Sequence, residues 1–267
     1  MRYFWWSTAG ILVGKMVTSP SVNDRNADGS DPRSQFVDVE TAHGVLVHGD
    51  IEILARMPYS SNATFLVRVT RAGVAVNGIY KPVKGERPLW DFPPGLHRRE
   101  IAAYELSDEL GWDVVPPTVE RMGPHGTGSI QLFIDANFDQ HHFTLVKNAV
   151  HHPDLRKLCA LDLLANNTDR KAGHCLLSKW GRVYGIDHGL CFSRDFKLRT
   201  VIWDFADEPI GEELLEGIEA VAAGEAIRAA RWLEEEEADA LTHRAQRLSA
   251  SPIFPTDDGH RWPWPLI

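Results

Sequence analysis

The chain has 267 residues, 43% of them hydrophobic, and 28 Lys and Arg stand against 37 Asp and Glu for a formal net charge of −9. That length buries a real core in one large domain or two small lobes. The acidic balance argues against nucleic acid as a partner, which needs a basic surface, and against a whole-surface grip on anionic lipid.

In chain order, the apolar stretch at residues 3–13 reads as a signal peptide or as an upstream start, with Met16 the true beginning; the second reading is preferred, because Ser7, Thr8, Gly10 and Gly14 interrupt the run. Residues 18–33 are rich in Ser, Asn, Asp, Gly and Pro and are expected to be disordered, so 1–36 are set aside as disordered or mis-assigned. No stretch approaches the ~20 apolar residues of a transmembrane segment. Residues 44–49 read as a short strand and turn, 52–56 as a strand and 57–62 as a polar turn. Residues 64–69 and 74–81 are β-branched runs around Gly73, a hairpin pattern. Residues 84–94 read as a loop, and 96–110 show helical spacing closed by Gly111. Strands are expected at 114–119 and 129–134, completing a lobe at 37–134.

The pattern changes in 135–267. Residues 151–166 read as an apolar helix, 175–177 and 183–186 as two short strands around Gly181, and 211–230 and 233–248 as helices. Glu234 to Glu237 reads as a solvated face. Cys159, Cys175 and Cys191 are odd in number, sit in apolar surroundings and form no CxxC pair, so a reducing cytoplasm fits best. The expected fold class is α+β, a β-rich N-terminal lobe followed by an α-helical C-terminal lobe.

Four features follow an order suited to phosphoryl transfer from ATP. Lys81 ends a strand, where an ammonium reaches phosphates, and Glu100 lies on the next helix, where it pairs with that lysine. Asp169, Arg170, Lys171 and His174 crowd a polar exit from an apolar helix. Asp169 is suited to accept a hydroxyl proton, Arg170 or Lys171 to neutralise developing charge, and His174 to touch metal or phosphate. Asp187 ends a strand beside Gly189 and suits a magnesium ligand. Each feature taken singly also reads blandly, as a strand-end lysine, a solvent-facing charge, an Asx-turn loop or an Asp-x-Gly turn. Together they gain weight: Asp169 and Asp187 flank one hairpin, and two carboxylates in one mouth need a cation.

The order Lys81, Glu100, Asp169-Arg170-x-x-x-His174, Ile186-Asp187-His188-Gly189 resembles the phosphatidylinositol 3-/4-kinase superfamily, with its D-R-H-x-x-N catalytic loop and D-F-G metal motif. Tyr80-Lys81-Pro82 also resembles the ATP-lysine strand of HipA-type kinases, and the stretch 45–253 resembles an actinobacterial family distantly related to the lipid kinases. The resemblance implies a two-lobed protein-kinase-like fold using ATP and Mg, with an unidentified hydroxyl-bearing acceptor: a lipid head group, a small molecule or a protein. It implies Lys81 on the α- or β-phosphate anchored by Glu100, Asp169 as base, and Asp187 and His174 as metal ligands. Ser60, Ser61 and Asn62 fall where a phosphate-covering loop lies, and Gln131 to Ile134, Phe133 included, where adenine binds.

Three departures stand out: His174 for asparagine, His188 for the phenylalanine of D-F-G, and Lys171 where the lipid kinases have histidine. They motivate an alternative, a nucleotide- or partner-binding module without transfer; AMP transfer is also open. A weaker third reading is a zinc hydrolase built on His141, His142, His151 and His152, whose neighbours face apart on a strand or helix. Trp90 and Trp203 read as core or lobe-packing aromatics, with a lid role conceivable for Trp90. Oligomeric state is left open.

Overall fold

The computed structural model describes residues 37–58, 62–225 and 227–267. The expected leader and disordered segment, and Ser60 and Ser61, lie outside the described residues. Helix α1 (Val39–His48) leads into strands β1 (Asp50–Arg56), β2 (Phe65–Arg71) and β3 (Val74–Pro82), then helix α2 (Leu96–Glu109) and strands β4 (Thr118–Gly123) and β5 (Gly126–Leu132). The five strands form one antiparallel sheet in the order β1-β2-β3-β5-β4. A helical half follows: α3 (His142–Leu145), α4 (His152–Ala165), the small hairpin β6 (Cys175–Leu177) and β7 (Val183–Gly185), then α5 (Glu212–Ala222), α6 (Ile227–Ala230) and α7 (Glu235–Ala250). The fold is thus α+β, with a sheet-rich lobe before a helical one. Among the described residues no helix is long and apolar enough to cross a membrane.

The expected strand at 44–49 is the second half of helix α1. Asp38 caps it, its carboxylate accepting from Thr41 N at 2.8 Å and Thr41 Oγ1 at 2.7 Å. Ala42, Val45 and Leu46 lie on one face and pack with Val67, Val69 and Tyr80 of the sheet. Burial of that face overrides the β preference of Val45 and Val47. A Cβ on Gly49 would stand 2.7 Å from both Val45 O and Val69 Cγ1, so only glycine lets the chain turn from α1 into β1 there.

The β2–β3 hairpin forms where the sequence predicts it. Arg71 pairs with Val74, and Ala72 and Gly73 both take positive φ, the two-residue turn that matches strand twist. The expected strands at 114–119 and 129–134 are displaced into the hairpin of β4 and β5. Pro116 and Pro117 offer no N–H to a ladder, so pairing starts at Thr118 and closes at Gly123 and Gly126. The predicted helix at 211–230 breaks after Ala222, with Gly224 at φ 79°. In α4, Leu155, Leu158, Leu161 and Leu164 are fully buried in the helical core, each contributing ~1.5–3 kcal/mol of burial.

Candidate functional site

Lys81 lies near the end of β3 on the sheet face opposite Tyr80. Its Nζ is ion-paired with Glu100 Oε1 on α2 and with Asp187 Oδ1, 2.9 Å away, just past β7. The three side chains come from both lobes and meet at one point. Glu100 is 3% exposed, Lys81 24% and Asp187 52%, so the pairing runs from a buried anchor to an open carboxylate. Glu100 Oε2 also accepts from His188 N at 3.0 Å, which ties α2 to the segment carrying Asp187. A Cβ on Gly189 would sit 3.4 Å from Glu100 Oε1, so the chain there runs close beneath this carboxylate.

Burial opposes the Lys81 charge, but Asp187 and Glu100 outweigh it and hold the ammonium above the ordinary lysine range. Lys81 in turn holds the Asp187 carboxyl well below the ordinary carboxylate range. Asp187 has φ 63°, in the left-handed region that aspartate adopts more readily than most residues.

Asp169 and Asp187 flank the β6–β7 hairpin. Cys175 pairs with Gly185, and Ile186 N donates to His174 O at 3.0 Å, which brings both ends of the hairpin together. Burial pushes the Asp169 carboxyl up, the Lys171 ammonium 2.9 Å from Oδ2 opposes the rise, and the Asp187 charge adds to it. His174 Nδ1 accepts from Lys171 N at 3.4 Å, so Nε2 carries the proton of the neutral ring and faces Asp187 Oδ2 at 3.5 Å. In that tautomer His174 stands as a donor toward Asp187, the other residue expected to hold metal. Burial lowers the His174 pKa to about 4, so the ring is neutral near pH 7.

Arg170 differs most from expectation. It is fully buried, and its Nε and Nη2 bond Asp162 at 2.8–3.1 Å. Nη1 donates to Ile186 O at 3.0 Å, and Nη2 to His188 Nε2 at 2.7 Å. With these donors spent inside the protein, the guanidinium braces the loop and does not reach a transferred group. His188 is likewise fully buried. Its Nε2 accepts from Arg170, and burial followed by the Arg170 charge keeps its pKa well below the ordinary range. It therefore fills the place of a core aromatic as a neutral ring.

Gln131 is buried on β5, next to Ser129, which pairs with Lys81, and its Nε2 donates to Thr118 Oγ1 at 2.9 Å. Phe133 follows, half-buried, with its N–H on Asn77 O at 2.9 Å. Asn62 Oδ1 accepts from Arg87 N at 2.9 Å. Trp203 packs against the helical core, whereas Trp90 is 95% exposed, with Lys197 Nζ 6.0 Å from its ring centre. Glu237, expected on a solvated face, is buried against Arg99.

Sequence reasoning missed Asp162. It accepts from Asn167 Nδ2 at 2.9 Å and Thr200 Oγ1 at 3.0 Å as well as from Arg170. Asn167 Oδ1 in turn accepts from Asp169 N at 3.0 Å, so one buried carboxylate sets the course of the whole loop. The available signal was a lone acid in the apolar run Leu161-Asp162-Leu163-Leu164.

The half-exposed, ionised Asp187 offers hard carboxylate oxygens of the kind a divalent cation prefers, and Asp169 lies across the same small hairpin. Among the described residues no group of three or more His, Cys, Asp or Glu could hold a metal unaided. Of the tandem histidines, His142 Nε2 pairs with Asp204 Oδ2 at 2.7 Å and His152 Nε2 bonds Val146 O at 2.8 Å. The zinc reading therefore has no site among the described residues.

A family profile described as phosphatidylinositol 3- and 4-kinase matches residues 103–246, more than half of the chain. Protein Rv2133c of Mycobacterium tuberculosis is 37% identical over 264 residues, spanning 84% of this chain and 95% of that protein. Phosphatidylinositol 4-kinase gamma 4 of Oryza sativa subsp. japonica is 32% identical over 137 residues, but these cover 43% of this chain and 24% of the plant protein. Among solved structures, that of hydra Fam20 with sugar superposes with a TM-score of 0.53 at 13% identity, covering 84% of this chain and 91% of the other, a likeness of fold alone.

Proposed function

The chain belongs to the phosphatidylinositol 3- and 4-kinase family, and from that premise we propose that it is a Mg-ATP-dependent phosphotransferase acting on a hydroxyl-bearing acceptor. The observation that carries this reading is the convergence of Lys81, Glu100 and Asp187, from β3, α2 and the segment after β7, on one ammonium. In this reading residues 37–134 hold the nucleotide and 135–267 carry the catalytic loop and metal site. Lys81 leaves Asp187 for a phosphate oxygen of ATP while Glu100 keeps the ammonium in place. Gln131 and Phe133 line the adenine side.

Asp187 would hold a magnesium ion, with His174 beside it, and a bound ion would supply charge neutralisation at the phosphates. Asp169 accepts the acceptor's hydroxyl proton. The acceptor oxygen then bonds the γ-phosphorus, the bond to the β-bridging oxygen breaks, and ADP leaves. Its raised pKa makes Asp169 a better base than an exposed aspartate, and Lys171 beside it offsets charge on the transferred group.

The test is a pair of measurements on wild type, Asp187→Ala and Asp169→Asn: thermal stabilisation by Mg-ATP, and release or transfer of γ-labelled phosphate. Stabilisation is expected in wild type and Asp169→Asn and lost in Asp187→Ala, with turnover in wild type alone. Absence of stabilisation in wild type would remove nucleotide from the account, and turnover by Asp169→Asn would remove the base. A second reading, nucleotide binding without transfer, is favoured by His174 and His188 standing where the family motifs have Asn and Phe. Stabilisation without turnover by wild type is its signature.

A further inference from the structure

Helix α2, which carries Glu100, is held at both ends by the C-terminal helices. At its first turn Arg99, 4% exposed, is ion-paired through Nη2 with Glu237 Oε1 of α7, whose side chain is 10% exposed. The Arg99 guanidinium also lies over the Phe92 ring, 5.5 Å from its centre. Glu237 is itself fixed, because its Oε2 accepts from Glu234 N at 3.2 Å. Beside it, Arg98 reaches Glu234 at 3.2 Å. At the far end Arg228 of α6 meets Asp108 at 2.8 Å and Glu105 at 3.4 Å, and its N–H donates to Glu109 Oε2 at 3.1 Å. The sheet alone does not supply these fixings: both come from residues 228–237, more than a hundred positions along the chain.

The geometry points to Arg99 and Glu237 as positioning residues for the Lys81–Glu100 pair, with the C-terminal helices acting as a built-in clamp on α2. Arg99 immediately precedes Glu100, so the backbone that aims Glu100 at Lys81 and at His188 N is the backbone held by the buried pair. Moving α2 away from α7 would leave a buried charge without its partner, which is costly. The functional consequence rests on the phosphotransferase reading: with the clamp open, α2 drifts, Glu100 releases Lys81, and nucleotide binds to a misplaced ammonium. Contacts on α6 and α7 thereby become a means of adjusting the nucleotide site without touching it.

The His188 amide reports the position of Glu100 directly, since it donates to Glu100 Oε2. Hydrogen exchange on the full chain is measured for wild type, Glu237→Gln and the reversed pair Arg99→Glu/Glu237→Arg, alongside thermal stabilisation by Mg-ATP. Glu237→Gln is expected to raise exchange at His188 by about tenfold, as for loss of a charged hydrogen bond, while the amides of β2 and β3 keep their wild-type rates. Mg-ATP stabilisation should fall with it, and the reversed pair should recover part of both. Unchanged exchange at His188, or a uniform rise that includes β2 and β3, overturns the clamp. Lys81→Ala is the reference for the nucleotide site. If it abolishes Mg-ATP stabilisation and Glu237→Gln leaves His188 unchanged, the clamp alone fails. If Lys81→Ala has no effect on that stabilisation, the phosphotransferase reading fails, and exchange at His188 still decides the clamp.

Discussion

Replacing Asp162 by asparagine keeps the volume of the side chain and removes its charge. In the folded protein this carboxylate receives Arg170 through Nε and Nη2, Asn167 through Nδ2 and Thr200 through Oγ1, all within 3.1 Å and all buried. An amide there turns one acceptor into a donor facing other donors, and it leaves the buried Arg170 guanidinium uncompensated. Breaking a buried pair from one side costs about 3–5 kcal/mol. Against a total stability of roughly 5–15 kcal/mol that is a large fraction, equivalent to roughly 6–20 °C in Tm for a chain of this size. Urea unfolding followed by circular dichroism reads the loss as a lower midpoint. The double variant Asp162→Leu/Arg170→Met, which leaves no lone charge, is expected to be more stable than the single one. A loss under about 1 kcal/mol in Asp162→Asn would refute the assignment of Arg170 as an internal brace.

Two further outcomes follow from local geometry. His174 has its pKa lowered by burial from its ordinary 6.5 to about 4, so between those values the unfolded chain binds more protons than the folded one. Stability therefore falls as pH drops from about 6.5 toward 4, by up to ~3 kcal/mol from this group. His174→Asn should flatten that slope in urea midpoints measured at pH 7 and pH 4.5, and an equal slope in both proteins contradicts it. Asp187, held low by Lys81, contributes stability that is lost only as pH falls below the ordinary carboxylate range, outside this window. Gly185→Ala places a Cβ 2.6 Å from Leu158 Cδ2 and 3.1 Å from Arg170 Nη1, so a loss of about 1–3 kcal/mol is expected, and a midpoint shifted by less than about 0.5 kcal/mol would mean the hairpin yields there.

Much of the fold is legible where a local rule and the burial pattern agree. The β2–β3 hairpin carries its own turn residues, Ala72 and Gly73, and α4 carries a run of leucines at helical spacing. Helix α1 was not legible, because Val45, Leu46 and Val47 favour a strand locally and only the sheet beneath them selects the helix. The β4–β5 hairpin was displaced because the expected strand ended at Val119, whereas β4 continues through Glu120 and Arg121, Arg121 folding back to donate to Leu46 O and Gly49 O, the latter at 2.8 Å. At the site, the order of Lys81, Glu100 and Asp187 along the chain was enough to expect their meeting, since each ends or lines a recognisable element. The role of Arg170 was not, because its buried partner Asp162 lies eight residues earlier inside an apolar helix. Glu237 was misread for a similar reason: three of the four glutamates in its run are exposed, and the fourth is selected by a helix more than a hundred residues away.

The most direct test of the account is a crystal structure of the protein with magnesium and a non-hydrolysable ATP analogue. It is expected to show Lys81 Nζ on a phosphate oxygen while still held by Glu100, Asp187 on the metal, and Asp169 facing the γ-phosphate across an open acceptor position. An analogue bound elsewhere, with Lys81 and Asp187 still joined at 2.9 Å, would contradict it.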